Sequence, residues 1–415
     1  MIFRSLVKFK VTITLGASQR HRRVLAIARP ATFLDSVVSL TVRSQRLPHR
    51  LQVQDLCSPT LFTLVRTLPA MRQLRTIRLS SIFLPETYLR CIISSQHLIH
   101  LTILDIRMPK LSKFPPLEPK LRTLILKWMD SWDTVRPLLV HLAASLEYLE
   151  FHSCRFEFEP RSLPRLPSFP RLRELRHQRR YDGNGTLLDE VFHVSQVTHL
   201  HLYGTLNSSH ITTFPKSLQH LSTEDGMLSQ RMLGTTPMAQ LKSLSIRLSE
   251  ERGTSHHLET SAFICDHFPG ITSLRLNITW SLRNAALVMA RSQHNVRAIA
   301  LSIPPNGVLD SEEGWRLNRV KSLNDYPQNN MLPGVLQSLR VDVVQSRGNL
   351  EWSLVQCSQW IDDDIIHPMT GLGGPDLGSI DLSLRIRKSG LEPERRIWKR
   401  WVKLLDGDWR IEGAL

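Results

Sequence analysis

LRTLIL at residues 121–126 and LEYLEF at residues 146–151 carry the pattern that decides the fold of this chain. In each, an aliphatic or aromatic residue stands first, fourth and sixth, and variable residues stand between them. Successive side chains of a β-strand point to opposite sides, so the fourth and sixth residues should face a core while their neighbours face solvent. Each copy therefore predicts a short strand with one buried side.

The same pattern recurs along most of the 415 residues. Its other clear copies are LRTIRL (74–79), LTILDI (101–106), VTHLHL (197–202), LKSLSI (241–246), ITSLRL (271–276), VRAIAL (296–301) and LQSLRV (336–341). Weaker copies lie near Leu40, Leu175, Leu221 and Ile380. The central residues recur at intervals of about 20 to 30, which is the period of a leucine-rich repeat. One such unit buries little surface alone, so many copies must pair their strands around a shared core.

Segments with helical spacing separate several of these strand patterns. The two clearest contain Trp132, Val135, Leu138, Leu139, Leu142 and Ala143, and Leu282, Ala285, Ala286, Met289 and Ala290. Apolar residues three and four apart are typical of a helix with one buried face. Strands that alternate with helices predict an α/β fold, an irregular leucine-rich-repeat solenoid of about a dozen repeats with a parallel concave sheet and convex helices.

Four parts follow from this pattern. We expect an N-terminal strand and linker at 1–34, the leucine-rich-repeat solenoid at 35–303, irregular last repeats with long loops at 304–390, and an amphipathic capping helix at 391–415. The apolar residues of the last part that fall on one helical face are Ile397, Trp398, Trp401, Leu404 and Leu405. Such a helix would cover the open end of the core, and its basic residues would also suit a membrane surface.

Composition limits the compartment and the partners. Lys and Arg number 53 against 37 Asp and Glu, a net charge of +16 that can attract nucleic acid, anionic membrane or an acidic protein. The five cysteines stand singly, and no apolar run reaches the roughly 18 to 20 residues of a membrane span. Charged residues interrupt the apolar residues at the N-terminus, so they form no continuous signal-peptide core. We therefore expect no secretion signal and a cytoplasmic or nuclear protein. The first 34 residues contain no acid, which would also suit a mitochondrial transit peptide.

Motifs of catalysis are absent from the sequence. There is no Gly-x-Ser-x-Gly elbow, no zinc-protease helix and no kinase signature, and the glycines at Gly371, Gly373 and Gly374 lack the Lys-Ser/Thr of a phosphate loop. We therefore expect that the protein is not an enzyme, and that it has no catalytic residue and binds no cofactor or metal. His199 and His201 share a strand face, and we expect His220 on the adjacent strand, but we interpret all three as polar surface rather than as metal ligands.

The outward positions of the predicted strands supply candidate partner-binding residues. They are Arg78, Arg107, Lys127, Glu150, His152, Arg176, His201, Tyr203, Arg247 and Arg275. A nucleic-acid groove needs an unbroken basic track with aromatic stacking platforms, whereas acids and neutral residues interrupt this surface. Mixed charge with occasional Tyr and Arg favours a protein partner on the concave face over nucleic acid.

Residues 33–181 resemble the repeat region of fungal F-box-like leucine-rich-repeat proteins. The phrases that carry the resemblance are VVSLTVRS, LPAMRQLRTIRLSSIFLP, SSQHLIHLTILDI, PKLRTLILKWM, LLVHLAASLEYLEFHSC and FPRLRELR. The resemblance implies the substrate-binding part of a ubiquitin-ligase adaptor. In that family a three-helix F-box precedes the repeats, but no Leu-Pro-x-Glu helix pair stands before Phe3. Docking to the ligase is expected only if an F-box lies upstream.

Overall fold

The structure is a computed structural model that describes part of the chain. The described residues are 9–15, 34–44, 59–106, 119–129, 132–154, 166–178, 196–203, 214–224, 228, 237–248, 254–278, 286, 289, 293, 295–303, 336–345, 355, 357–359, 361–366, 376–386, 395–404, 406 and 408–412. By its internal contacts the chain divides into two compact units, Met1–Ser217 and Leu218–Leu415.

The first unit contains eight described strands that follow one another in chain order. They are β1 (Phe9–Leu15), β2 (Val37–Ser44), β3 (Thr76–Ser80), β4 (His100–Leu104), β5 (Thr123–Lys127), β6 (Tyr148–His152), β7 (Glu174–Gln178) and β8 (His199–Tyr203). Each pairs in parallel with the next. This parallel, sequential order is that of stacked repeats.

The second unit contains a further eight described strands, also in chain order. They are β9 (His220–Glu224), β10 (Ser243–Arg247), β11 (Ser273–Asn277), β12 (Ala298–Ile303), β13 (Ser338–Gln345), β14 (Ser379–Ile386), β15 (Arg395–Lys403) and β16 (Trp409–Glu412). Pairing is parallel from β9 to β14 and antiparallel from β14 to β16.

Helices lie between some of the strands. The described α-helices are α1 (Pro59–Thr67), α2 (Glu86–Ile93), α3 (Trp132–Leu142) and α4 (Thr254–His267), with a 3-10 turn at Leu68–Ala70 and a π-helical turn at Asp362–Ile366. The predicted helix at Trp132 is confirmed, and its inward side chains Leu138 and Leu139 are fully buried. Of the second predicted helix, Ala286 and Met289 are helical and buried, and its other predicted members lie outside the described residues.

The inward row of each strand forms the core. Leu124 pairs with Leu149, which pairs with Leu175, and all three side chains are fully buried. In the second unit Leu244 pairs with Leu274 in the same way. The ninth position of a leucine-rich repeat, where Asn or Cys is common, is held after β6 by the buried Cys154. The leucine-rich-repeat solenoid predicted from the spacing is confirmed.

A tight turn follows each of four strands in the first unit. Ser81, Asp105, Trp128 and Ser153, the residues immediately after β3, β4, β5 and β6, have φ between 51° and 55°. Each donates its backbone N–H to the carbonyl of the last residue of the following strand, at 2.6 to 2.9 Å. A left-handed conformation costs an L-residue about 1 to 2 kcal/mol, which these hydrogen bonds offset. The turn aligns the ends of neighbouring strands.

The predicted register of the fourth strand is wrong. The copy LTILDI places Leu104 in the core, but Leu101 and Ile103 are the buried pair and Leu104 lies on the outward side, half-buried. Two apolar patterns that differ by three residues overlap here, and the earlier one, from Leu98, buries its first member as well. Arg107, which this copy predicts on the outward side of the strand, lies outside the described residues.

The predicted amphipathic helix at 391–415 is also wrong, because its described residues form β15 and β16. Strand alternation buries Trp401, which pairs with Ile380, and leaves Trp398 47% exposed on the other side. The open edge of a strand carries unpaired backbone N–H and C=O groups. By pairing with β14, the strand β15 supplies hydrogen-bond partners for the groups on its edge. The Trp401 indole donates a hydrogen bond to Asp362 Oδ1 at 3.1 Å. The segment covers the last parallel strand as a hairpin, and the membrane-surface alternative loses the helix on which it depended.

Candidate functional site

The strand register of the first unit places outward side chains in three rows across β5–β8. The rows are Thr123, Tyr148, Glu174 and His199; then Ile125, Glu150, Arg176 and His201; then Lys127, His152, Gln178 and Tyr203. Neighbouring strands are about 4.8 Å apart, so residues from different repeats become direct neighbours. The structure thus brings together the six predicted site residues of these four strands.

The remaining predicted site residues are more scattered. Arg78 lies exposed on β3, and Arg247 and Arg275 lie exposed on β10 and β11 of the second unit. Arg247 approaches Glu224 at 3.8 Å. None of these three arginines lies on β5–β8.

We name six of the outward residues the charged patch: Lys127, Tyr148, Glu150, Glu174, Arg176 and His201. On its first side, Lys127 Nζ lies 3.0 Å from Glu150 Oε1. The Tyr148 hydroxyl donates to Glu150 Oε2 at 2.6 Å. Both carboxylate oxygens of Glu150 are thus occupied, and the glutamate is held in one orientation.

The second side of the charged patch centres on Glu174. Arg176 donates from Nε to Glu174 Oε1 at 2.8 Å, and His201 Nε2 lies 3.3 Å from the same oxygen. The Arg176 guanidinium also stands over the Tyr148 ring, 5.4 Å from its centroid, which joins the two sides. Such an arginine–aromatic contact contributes roughly 0.5 to 1 kcal/mol at an exposed site. Ion pairs and stacking together order four neighbouring strands' side chains.

Protonation in the charged patch follows from these contacts. Partial burial and the hydrogen bond to Glu150 raise the pKa of the Tyr148 hydroxyl, so it stays a donor. Burial alone would raise the pKa of Glu150, but the hydrogen bonds from Tyr148 and Lys127 lower it. Burial, with the positive charge of Arg176, lowers the pKa of His201. At neutral pH Glu150 is therefore charged and His201 is neutral, so His201 meets Glu174 as an uncharged imidazole.

Tyr148 and Glu174 were not among the predicted site residues. Both stand immediately before the central leucine of their repeat, at the first residue of a strand. Extending the in–out alternation by one residue toward the N-terminus would have found them, because the residue before a buried position also faces outward. Trp128 was missed for another reason. It follows β5 in a left-handed turn that the strand pattern does not describe, and its ring is 49% exposed and 6.4 Å from that of His152.

A groove of about 770 Å³ adjoins the charged patch at the beginnings of β6, β7 and β8. Its lining includes Glu147, Tyr148, Arg173, Glu174, Thr198 and His199, together with the turn at 170–172. Since Tyr148 and Glu174 belong to both, the patch and the groove form one continuous surface. Side chains of both charges line this surface. It can therefore form hydrogen bonds with both the donors and the acceptors of a polar partner.

The outward face of the second unit is built from smaller residues. We name seven residues of β10–β13 the small-residue face: Ser243, Ser245, Ser273, Ala298, Ala300, Ser302 and Ser338. The charged residues beside it mostly pair with one another. Arg340 holds Asp342 through two hydrogen bonds at 2.8 and 3.0 Å, and Arg400 holds Asp381 at 2.7 and 3.1 Å.

Three findings bear on other functions. Within the described part of the chain, no three His, Cys, Asp or Glu side chains are grouped closely enough to hold a metal ion. Among the helices that the structure describes, none has the length and apolar content needed to cross a membrane. No protein-family model matches the sequence, and no curated protein matches it at a significant level.

Proposed function

We propose that this chain is a non-catalytic protein-recognition solenoid whose partner binds the outward face of β5–β8. The observation that carries the proposal is the charged patch, which places Lys127, Glu150 and Arg176 on three neighbouring strands, with Lys127 Nζ 3.0 Å from Glu150 Oε1. Preorganised side chains lose less entropy on binding than mobile ones. Such a surface favours a protein with complementary charges.

The residue types of this surface support a protein rather than a small molecule. Arg, Tyr and Trp dominate interface hot spots, and Arg176, Tyr148 and the exposed Trp128 lie in or beside the patch. Each cation of the patch has an acidic neighbour, so its net charge is small. A polyanion would gain little from it, whereas a protein surface that carries both signs would pair with each group in turn.

Site-specific photo-crosslinking tests the proposal. A benzophenone amino acid replaces Gln178, an exposed residue two positions from Arg176 on the same side of β7, in one variant, and Val140, which is 41% exposed on α3, in the control. The proposal expects a discrete protein adduct at position 178 and none at position 140. Equal adducts at both positions, or an adduct at position 140 alone, would show that the outward face is not the binding surface.

The resemblance to fungal F-box-like proteins extends the proposal to the fate of the partner. If the chain acts as the substrate-binding part of a ubiquitin-ligase adaptor, its captured partner is a ubiquitination substrate. Removal of the protein from cells should then lengthen the half-life of the cross-linked partner. An unchanged half-life, with capture intact, would leave recognition alone.

A further inference from the structure

The outward face of β1–β4 differs from the charged patch because it carries cations without carboxylates. We name this surface the basic face. Its described residues are Lys10, Thr12, Thr14, Ser39, Thr41, Arg43, Thr76, Arg78, Ser80, His100, Thr102 and Leu104. Among these residues there is no acid, and seven of them are serine or threonine. The nearest described acid in sequence, Asp105, follows β4 and accepts a hydrogen bond from Ser81.

Four residues of the basic face form a compact square on two paired strands. Thr41 pairs with Arg78, and Arg43 pairs with Ser80, so the two arginines occupy one diagonal and the two hydroxyls the other. Neighbouring strands are about 4.8 Å apart, and residues two apart along a strand are separated by roughly 6.6 Å. Both guanidinium groups can therefore reach a single small anion above the square.

Both arginines are exposed and available for such an anion. Arg43 donates from Nε to Thr14 Oγ1 at 3.3 Å, which steadies its stem and leaves its terminal nitrogens for a ligand. The Arg78 side chain makes no hydrogen bond or ion pair with any residue that the structure describes. Arg176 of the charged patch differs in this respect, because Glu174 neutralises its charge.

From this geometry we infer that the square of Thr41, Arg43, Arg78 and Ser80 binds a phosphate monoester on a segment of the protein partner. A phosphate carries close to two negative charges and three acceptor oxygens, which two forked guanidinium groups and two hydroxyls can fill. A carboxylate has only two oxygens and one charge, and it would leave part of this donor set unused.

The position of the square identifies a protein segment as the carrier of the phosphate, and this step rests on the proposed function. The basic face continues strand by strand into the charged patch, where Glu150 and Glu174 interrupt the positive charge. A nucleic acid needs a longer basic track. From β3 to β6 the sheet advances by three strands, roughly 14 Å, which an extended peptide spans with about four or five residues.

Binding to defined probes tests the inference. The full chain is titrated with a degenerate peptide pool that has phosphoserine or phosphothreonine at its centre, with the same pool unphosphorylated, and with single-stranded RNA. The phosphorylated pool should bind at least roughly tenfold more tightly than its twin, and inorganic phosphate should compete. Arg43→Ala and Arg78→Ala should each weaken it about tenfold or more, as expected for charge-assisted hydrogen bonds.

Matched variants make the result specific. Arg78→Lys should restore only part of the affinity, because an ammonium lacks the two-pronged geometry of a guanidinium. Arg297→Ala removes an exposed arginine of the second unit that belongs to none of the named surfaces, and it should leave binding unchanged. All variants should keep the wild-type melting temperature, since these side chains are exposed.

Three outcomes would overturn the inference. Equal binding of the two pools would remove the phosphate site, and if position 178 still cross-links a protein, the proposed function would stand without it. An equal loss in Arg297→Ala would mean nonspecific charge attraction. Tighter binding of RNA, abolished by Arg78→Ala and falling linearly with the logarithm of salt, would make nucleic acid the occupant. Conversely, phosphate selectivity without any protein cross-link would contradict only the proposed function.

Discussion

The two units share one kind of core and present different outward faces. In the first unit β5–β8 carry large side chains of both charges, fixed by ion pairs and by the Tyr148 hydroxyl. In the second unit the corresponding positions of β10–β13 hold mainly serine and alanine. Because a solenoid constrains only the inward rows, each unit can vary its outward rows without loss of fold. Recognition is thus expected where the outward residues are large and ordered.

The largest expected effect concerns the buried inward row of strand residues in each unit. Leu149→Ala in the first unit and Leu244→Ala in the second should each lower the free energy of unfolding by about 2 to 5 kcal/mol, because both leucines are fully buried. Denaturant unfolding measures the change. A cost below about 0.5 kcal/mol at either position would mean that the two inward rows are not equivalent.

A glycine in the second unit should give the next largest effect. A Cβ at Gly270 would lie 2.1 Å from the Ala239 carbonyl oxygen, so Gly270→Ala must displace backbone. We expect a loss of about 1 to 3 kcal/mol, the usual cost of overpacking. Gly378→Ala is the matched control, since its Cβ would lie 3.8 Å from the Gln337 oxygen, an ordinary contact. Similar melting temperatures for the two variants would contradict this account.

Tyr148 tests whether the outward face of the first unit is ordered by its own contacts. Tyr148→Phe removes the hydroxyl that donates to Glu150 and should cost about 0.5 to 1.5 kcal/mol. Ser243 holds the same place in its repeat on β10, and Ser243→Ala should change stability by less than about 0.5 kcal/mol. A double-mutant cycle with Glu150→Gln isolates the Tyr148–Glu150 contact. Zero coupling would mean that this contact does not order the patch.

The smallest effect is a pH dependence that the charged patch should add. Burial lowers the pKa of His201 in the folded chain, whereas an unfolded histidine titrates near about 6.5. The unfolded chain therefore binds more protons in the window just below that value, and stability should fall as the pH is lowered through it. His201→Gln should reduce this fall between about pH 7.5 and 5.5, as followed by melting temperature. An unchanged or steeper fall in the variant would contradict the assignment.

Sequence spacing predicted the repeated strands and their inward rows because burial imposes a regular alternation. Leu124, Leu149, Leu175 and Leu200 lie side by side as expected. The register of β4 could not be chosen locally, since Leu98 and Leu101 begin equally good patterns. Only pairing with both neighbouring strands decides between them.

The C-terminal segment was mispredicted because a short basic and aromatic stretch fits both periods. Trp398 and Trp401 are three residues apart, which suits one helical face, yet in β15 they lie on opposite sides of the sheet. The need to pair the edge of β14 is a tertiary requirement that no local pattern contains.

The sequence predicted which strands and which outward positions carry the candidate site, but not the contacts between its side chains. Alternation placed Glu150, Arg176 and His201 in one row, as the register has them. That Glu174 serves both Arg176 and His201 depends on side-chain geometry across two strands, which spacing does not encode. The square of Thr41, Arg43, Arg78 and Ser80 on β2 and β3 likewise becomes visible only from the register.

The most direct test of the central claim compares capture of the cross-linked protein by Arg176→Ala, Tyr203→Ala and Arg275→Ala. The first two variants alter the outward face of the first unit, and the third alters the second unit. Truncation of an interface hot spot costs about 2 kcal/mol or more, so Arg176→Ala and Tyr203→Ala should lose most capture while both variants remain folded. Arg275→Ala should capture the partner like the wild type. Full capture by both first-unit variants, with loss in Arg275→Ala, would contradict the account.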